Sequence, residues 1–177
     1  MNQPRPVAAT TFGILNIGFA VWGLGGVFFS TIARTMIHQK NPLADSLTNN
    51  PDYQTFLTVS STLEVITASV LLAAGIGLLM LKNWARFTSI GYGIYKIIYS
   101  CIIPFFVYRI VMVPMITKFA QTAKGIPPNF IETFALIATI FGAIISLIYP
   151  VLLIIFMTRP KMIAAFQPPP QENPSLM

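Results

Sequence analysis

Two charged residues, Glu64 and Lys96, stand inside long apolar stretches of this sequence. A lysine at the middle of a bilayer costs at least ~2.5 kcal/mol on insertion scales, so its position requires a partner, water or a route to the interface. Such a lysine is typical of a site for an anionic group or of a polar pathway. The more common alternative is a structural lysine, held by tyrosine hydroxyls and carbonyls or reaching the interface along its flexible stem.

Lys96 belongs to a polar stripe on its own predicted helix. At about 100° per residue, its face also carries Ser89, Tyr92, Gly93, Tyr99 and Ser100. Asn16, in the first apolar stretch, is predicted at a similar depth and could accept a hydrogen bond from the ammonium. The polar intramembrane candidates are therefore Lys96, Glu64, Asn16, Tyr92 and Tyr99.

Glu64 is the natural counter-charge for Lys96, but helix geometry predicts different depths for the two residues. Counted from the hairpin between the second and third apolar stretches, Glu64 lies ~27 Å along its helix and Lys96 lies ~15 Å along the next. We therefore expect Glu64 at headgroup level near the opposite interface, within reach of Arg34 or Arg109. The alternative hypothesis is that Glu64 and Lys96 both face the bundle and are coupled.

Other chemistry is limited by composition, because the chain has one histidine and one cysteine. An intramolecular disulfide, a cysteine-built zinc site and most multi-histidine metal or haem arrangements are excluded. The sequence offers no Ser/His/Asp set, and its glycines lack the order of a phosphate-binding loop. We expect no cofactor, no metal and no enzymatic activity.

The overall composition indicates an integral membrane protein. The 177 residues are 55% hydrophobic and only 9% charged, whereas a soluble domain carries about 25% charged residues. The mean hydropathy is +0.72. A net charge of +6 would suit nucleic acid, but no basic run or basic helix with interleaved aromatic residues is present. The expected partner is the lipid bilayer, and nucleic-acid binding is excluded.

Four stretches of about 20 mostly apolar residues predict membrane spans. They lie at about residues 7–33, 58–81, 87–108 and 130–158. Asn50-Pro51-Asp52 and Pro127-Pro128-Asn129 are typical helix starts. The sequence therefore predicts an all-α, four-helix up-down bundle whose helices extend beyond the bilayer on the side away from the termini.

Residues 1–166 are predicted to form this transmembrane domain, and residues 167–177 a disordered, proline-rich tail. The third helix is expected to continue to about residue 123, bent at Pro104 or Pro114. The alternative is a separate interfacial helix at 109–123.

The hairpin between the second and third spans is very short. Lys82, Trp84 and Arg86 have the residue types of interfacial anchors beside lipid headgroups. Ser69, Ala73 and Gly77 form a stripe of small residues that predicts close helix packing within the bundle, with a homodimer seam as the alternative. The glycines of the first span have the same interpretation.

Orientation is read from lysine and arginine. Outside the spans, the terminal side carries Arg5, Lys82, Arg86, Arg159 and Lys161, and the opposite side carries Arg34, Lys40, Arg109, Lys118 and Lys124. The numbers are equal, but the terminal-side charges lie in shorter segments, tight against the helix ends. We therefore predict that both termini are cytoplasmic.

Two short segments carry a resemblance. These are Lys82-Asn83-Trp84-Ala85-Arg86 and the stretch from Tyr149-Pro150 through the exit Arg159-Pro160 to Ala165-Phe166. They resemble segments of small bacterial four-span membrane proteins of unknown function. The resemblance implies a bacterial inner membrane and no activity. From the residues we expect a non-enzymatic interaction or scaffold subunit, with a membrane protein partner or a second copy as its binding partner. The alternative is a small oligomeric transporter or channel with a polar path through Lys96.

Overall fold

A computed structural model describes residues 7–37, 50–122 and 128–166, which are helical apart from short turns. The elements are α1 (Val7–Ile37), α2 (Pro51–Leu79), α3 (Asn83–Val107), a π-helical segment (Tyr108–Met112), α4 (Val113–Thr122), α5 (Pro128–Met157) and α6 (Pro160–Ala165). The predicted tail at 167–177 and most of the predicted linkers, at 41–50 and 124–129, lie outside the described residues.

Four runs are long and apolar enough to cross a membrane. They are Val7–Met36, Pro51–Leu79, Asn83–Thr117 and Asn129–Met157. The chain is therefore an all-α, multi-pass membrane protein, and the predicted four-helix arrangement is confirmed. Each observed helix is longer than the apolar stretch that predicted it, since α1 runs on to Ile37 and α2 begins at Pro51.

The start of α2 is set by local chemistry. The Asn50 side chain accepts a hydrogen bond from the backbone N–H of Asp52 at 2.9 Å. Pro51 occupies the first helical position, where its missing N–H costs nothing. Pro128 begins α5 in the same way. Both predicted helix starts are confirmed.

The third long helix continues without a break through two prolines. The N–H of Val113 bonds to the carbonyl of Tyr108, five residues back, which widens one turn to π-helical geometry. Pro114 has no N–H to donate to Ile110, so the backbone pairing is already incomplete at this point. The predicted continuation past Pro104 is confirmed as far as Thr122. The separate interfacial helix is not observed.

The turn between α2 and α3 is tight. Lys82 N–H bonds to the carbonyl of Gly77 at 2.9 Å, across Leu81, which is left-handed with φ 54°. This arrangement closes the end of α2 and reverses the chain. A Cβ on Gly77 would lie 2.6 Å from that of Ala85, so the turn requires glycine at this position.

The end of the bundle nearest the chain termini is tightly packed. The short helix α6 folds against the starts of α1 and α3 and the end of α5. Aromatic side chains join α1 to α5 here, because the Phe12 ring lies 5.1 Å from Phe156 and 6.4 Å from Tyr149. The buried core at this end consists of Ala9, Phe12, Leu78, Ala85, Leu153, Met157, Met162 and Phe166.

Close contact between α1 and α2 depends on paired glycines. A Cβ on Gly75 would lie 2.9 Å from the carbonyl oxygen of Gly13. The predicted stripe lies elsewhere on α2, and its members Ser69 and Ala73 are exposed. The prediction that this stripe packs within the bundle is therefore wrong, except at Gly77. Its face is turned away from α1, which packs against the face of Gly75 and Ala68 instead.

The opposite end of the bundle is open. Large aromatic side chains of α1 and α5 are exposed there, among them Phe29 at 73% and Phe134 at 67%. In a bilayer these side chains face lipid tails or a second protein. The half of the bundle nearest the termini is closed and the opposite half is open, so a ligand could enter from the opposite half.

Candidate functional site

An ion pair inside the membrane-spanning region joins α2 to α3. Lys96 Nζ lies 3.8 Å from Glu64 Oε2. The predicted difference in depth is therefore wrong. Counted from the helix ends at Leu79 and Asn83 rather than from the charged residues of the hairpin, Glu64 lies ~22 Å and Lys96 ~20 Å from the turn. The two long side chains span the small remaining offset.

The groups around this pair come from three helices. A Cβ on Gly23 of α1 would lie 2.7 Å from Glu64 Oε1, so the carboxylate occupies the space that this glycine leaves. The ammonium of Lys96 lies 5.2 Å from the centre of the Tyr99 ring, within the range of a cation–π interaction. The ion pair thus sits where α1, α2 and α3 meet.

Both charged side chains remain partly accessible. The Lys96 side chain is 24% exposed and that of Glu64 is 36% exposed. Their separation of 3.8 Å is also longer than a hydrogen bond. The pair therefore has unused hydrogen-bonding capacity that a water molecule or another polar group could take up.

An open groove of about 440 Å³ leads to Glu64 between α1, α2 and α3. Its polar groups include the Arg34 guanidinium, near the end of α1, and hydroxyls of α2. Glu64 and Arg34 therefore line the same groove, although Glu64 pairs with Lys96. The lining residues are Trp22, Gly23, Gly26, Val27, Ser30, Arg34, Leu57, Ser60, Ser61, Glu64 and Tyr99.

A second cavity, of about 250 Å³, lies between α3 and α5 on the other side of Lys96. Tyr99 lines both cavities, so its ring separates them beside the ion pair. Ser146 of α5 donates to Ser100 of α3 at 3.0 Å along this second cavity. The polar stripe predicted on α3 thus divides between two neighbours, with Lys96 towards α2 and Ser100 towards α5.

Asn16 does not bind Lys96. It is fully buried, donates to Ser89 Oγ at 3.2 Å and accepts a hydrogen bond from the Tyr149 hydroxyl. The expectation that it accepts from the ammonium is wrong, because α1 places it one layer closer to the termini. Its network joins α1, α3 and α5.

The remaining candidates serve packing or the interface. Tyr92 is partly buried against the core of the closed end. Lys82 and Trp84 are exposed, and their role as interfacial anchors stays a prediction. Arg86 differs, because it is only 8% exposed and turns into the protein. Its place on the α5-facing side of α3, with Ser89 and Gly93, explains this.

The groove residues differ in how far the sequence indicates them. Helical spacing places Ser61 one turn before Glu64 on the same face, and Gly23 belongs to the glycines expected to allow close packing in the first span. Ser60 carries no distinctive motif and was missed, because its role depends on how α1 and α2 pack. In the described part of the chain, no group of three or more His, Cys, Asp or Glu residues could hold a metal ion.

The fold and site define a four-span helical membrane protein with a charged groove. No protein-family model matches the sequence, and no curated protein or solved structure is significantly similar to it.

Proposed function

We propose that this protein is a non-enzymatic interaction subunit of the bacterial cell membrane, which receives a transmembrane helix of a partner protein in the groove between α1, α2 and α3. The observation that carries the proposal is the partly exposed ion pair of Glu64 and Lys96, of which Glu64 lines this groove. This charge pair lies at membrane depth and is exposed on one side. Such a pair favours binding to a polar residue of a partner protein.

The walls of the groove fit a helix. Gly26 of α1 removes side-chain bulk, and a Cβ there would meet no atom within 4 Å, which allows a neighbouring backbone to come close. Trp22, Val27 and Leu57 supply apolar surface for its side chains. A single polar residue on the partner helix would then reach Glu64, Lys96 or the serines of α2.

The closed end of the bundle also supports a binding role. Between the ion pair and the chain termini lie the buried network of Asn16, Ser89 and Tyr149 and the apolar core. A bundle that is packed at one end favours binding over continuous conduction.

Two adjacent glycines provide a matched test. A Cβ on either Gly25 or Gly26 would meet no atom within 4 Å, but only Gly26 lines the groove. We expect Gly26→Leu and Lys96→Met to abolish a cross-linked complex formed in intact membranes. Gly25→Leu should retain it.

The complex is scored by in-membrane cross-linking and quantitative mass spectrometry of the purified adducts. Two differently tagged copies of the chain show whether the bound helix comes from a second copy. A set of adducts that is identical for Gly25→Leu and Gly26→Leu would disprove the groove as the binding site.

A small transporter is the second candidate, and one observation favours it. The ion pair stands between two cavities, because Glu64 lines the groove and Lys96 lines the second cavity. Tyr99 lines both of them. In that case the Asn16 network would have to open during transport. Ion flux into liposomes that is lost in Lys96→Ala, while folding is retained, would support this function over the first.

A further inference from the structure

At the closed end of the protein, a buried arginine has no counter-charge among the residues that the structure describes. Arg86 is 8% exposed, and its Nε atom has no hydrogen-bond partner. The acidic residues of the described ranges are Asp52, Glu64 and Glu132. Asp52 and Glu132 lie near the starts of α2 and α5, at the other end of the bundle, and Glu64 pairs with Lys96. A buried guanidinium of this kind is costly unless an anion completes it.

Helix register places two further cations at the level of Arg86. On α3, Ser100 contacts Ser146 of α5, and Gly93, one heptad earlier, packs against Ile154 and Pro150. One more heptad towards the start of α3 brings Arg86 level with the end of α5 and the turn into α6. That turn carries Arg159, and the first turn of α6 carries Lys161; both are exposed.

Arg86 and Arg159 each lie over an aromatic ring, and this contact does not use the N–H donors of their guanidinium groups. The Arg86 guanidinium lies 4.7 Å from the centre of the Phe87 ring, and that of Arg159 lies 4.5 Å from the centre of the Phe156 ring. Stacking engages the face of a guanidinium, whereas its N–H donors point outward in the plane and match the oxygens of a phosphate.

We propose that this end of the protein is a binding site for the phosphate of an anionic phospholipid headgroup. Arg86 is its inner ligand, and Arg159 and Lys161 are its outer cations. The position fits a headgroup, because Arg86 lies in the first turn of α3, next to the exposed Trp84 and Phe87 at the level where a span begins. This site is independent of the groove, which opens at the other end of the bundle.

The test measures how lipid changes the unfolding temperature of the full chain in neutral detergent with phosphatidylcholine. Phosphatidylglycerol is titrated in one arm, and inorganic phosphate at equal concentration in another. We expect phosphatidylglycerol to give a saturable rise for the wild type. Arg86→Gln should weaken the apparent affinity about ten-fold, as expected for loss of a charge-assisted hydrogen bond.

Two further variants keep the test decisive. Arg109→Gln, at the exposed opposite end, is the charge-matched control and should bind the lipid as the wild type does. The double variant Arg159→Gln with Lys161→Gln leaves the core intact and should also weaken binding, which covers the case that Arg86→Gln does not fold. An equal loss in Arg109→Gln, unchanged affinity in both terminal-side variants, or a full rise with inorganic phosphate alone would overturn the proposal.

Discussion

Glu64 and Lys96 come from adjacent antiparallel helices and meet with their charged atoms 3.8 Å apart, beside a glycine of a third helix. This relationship ties the packing of α1, α2 and α3 to one electrostatic interaction. It also explains how a lysine is tolerated deep within a span, because Glu64 supplies the compensating charge and Tyr99 supplies the face of its ring.

Coupling between these two charges should be visible in a double-mutant cycle. Lys96→Met and Glu64→Gln each leave the other residue without its partner, so each alone should lower the unfolding temperature in detergent. The double variant should recover part of the loss, with a coupling of about 1 kcal/mol, because both side chains are partly exposed. Lys82→Met, at the exposed hairpin, is the control. Strictly additive losses would show that the two charges do not interact.

Local features of the fold were predictable from sequence. Asn50, Pro51 and Pro128 mark helix starts because capping and the missing proline N–H act within one turn. The four apolar stretches likewise required four helices, since a bilayer leaves no other partner for the backbone. These features depend on residue types within one helical turn or one apolar stretch, so they can be predicted without knowing how the helices pack.

Features that depend on packing were not predictable in the same way. The depth of Glu64 relative to Lys96 changed once the turn was placed at residues 80–82 rather than at the flanking charges. Asn16 was correctly identified as a polar residue within a span, but its partners Ser89 and Tyr149 depend on which helices adjoin α1. The open end of the bundle results from the same packing and leaves no periodic signal in the sequence.

Close approach of α1 and α2 makes Gly75 sensitive to substitution. In Gly75→Ala the new Cβ would lie 2.8 Å from Ile17 Cγ1 and 2.9 Å from the Gly13 carbonyl oxygen. The helices must separate, at a cost of about 1–3 kcal/mol, which outweighs the better helix propensity of alanine. Gly142→Ala, where a Cβ meets no atom within 4 Å, should not be destabilised. Thermal unfolding of both variants in one detergent compares the two, and equal unfolding temperatures would contradict the close approach.

The buried hydrogen-bond network of Asn16 should contribute to the free energy of unfolding. Tyr149→Phe removes the donor to Asn16 Oδ1 and leaves a buried acceptor unsatisfied, at a cost of about 1–3 kcal/mol. Ser69→Ala, which removes an exposed hydroxyl bonded only within its own helix, is the matched control. The free energy of unfolding, measured by reversible denaturation in mixed micelles, should fall only for the tyrosine variant. A loss of the same size in both would show that the network adds nothing specific.

Membrane topology is tested by cysteine accessibility. In a Cys101→Ala background, Lys82→Cys places a thiol at the α2–α3 hairpin, on the side of the termini, and Asp52→Cys places one at the start of α2, on the opposite side. If both termini are cytoplasmic, a membrane-impermeant maleimide should label Asp52→Cys in intact cells and Lys82→Cys only after permeabilisation. The native Cys101 should resist the same reagent in membranes, because its exposed side chain lies at the middle of a candidate span, where we expect lipid to cover it. Labelling of both introduced cysteines in intact cells would contradict the up-down arrangement, whereas the reversed pattern would keep the fold and invert its orientation.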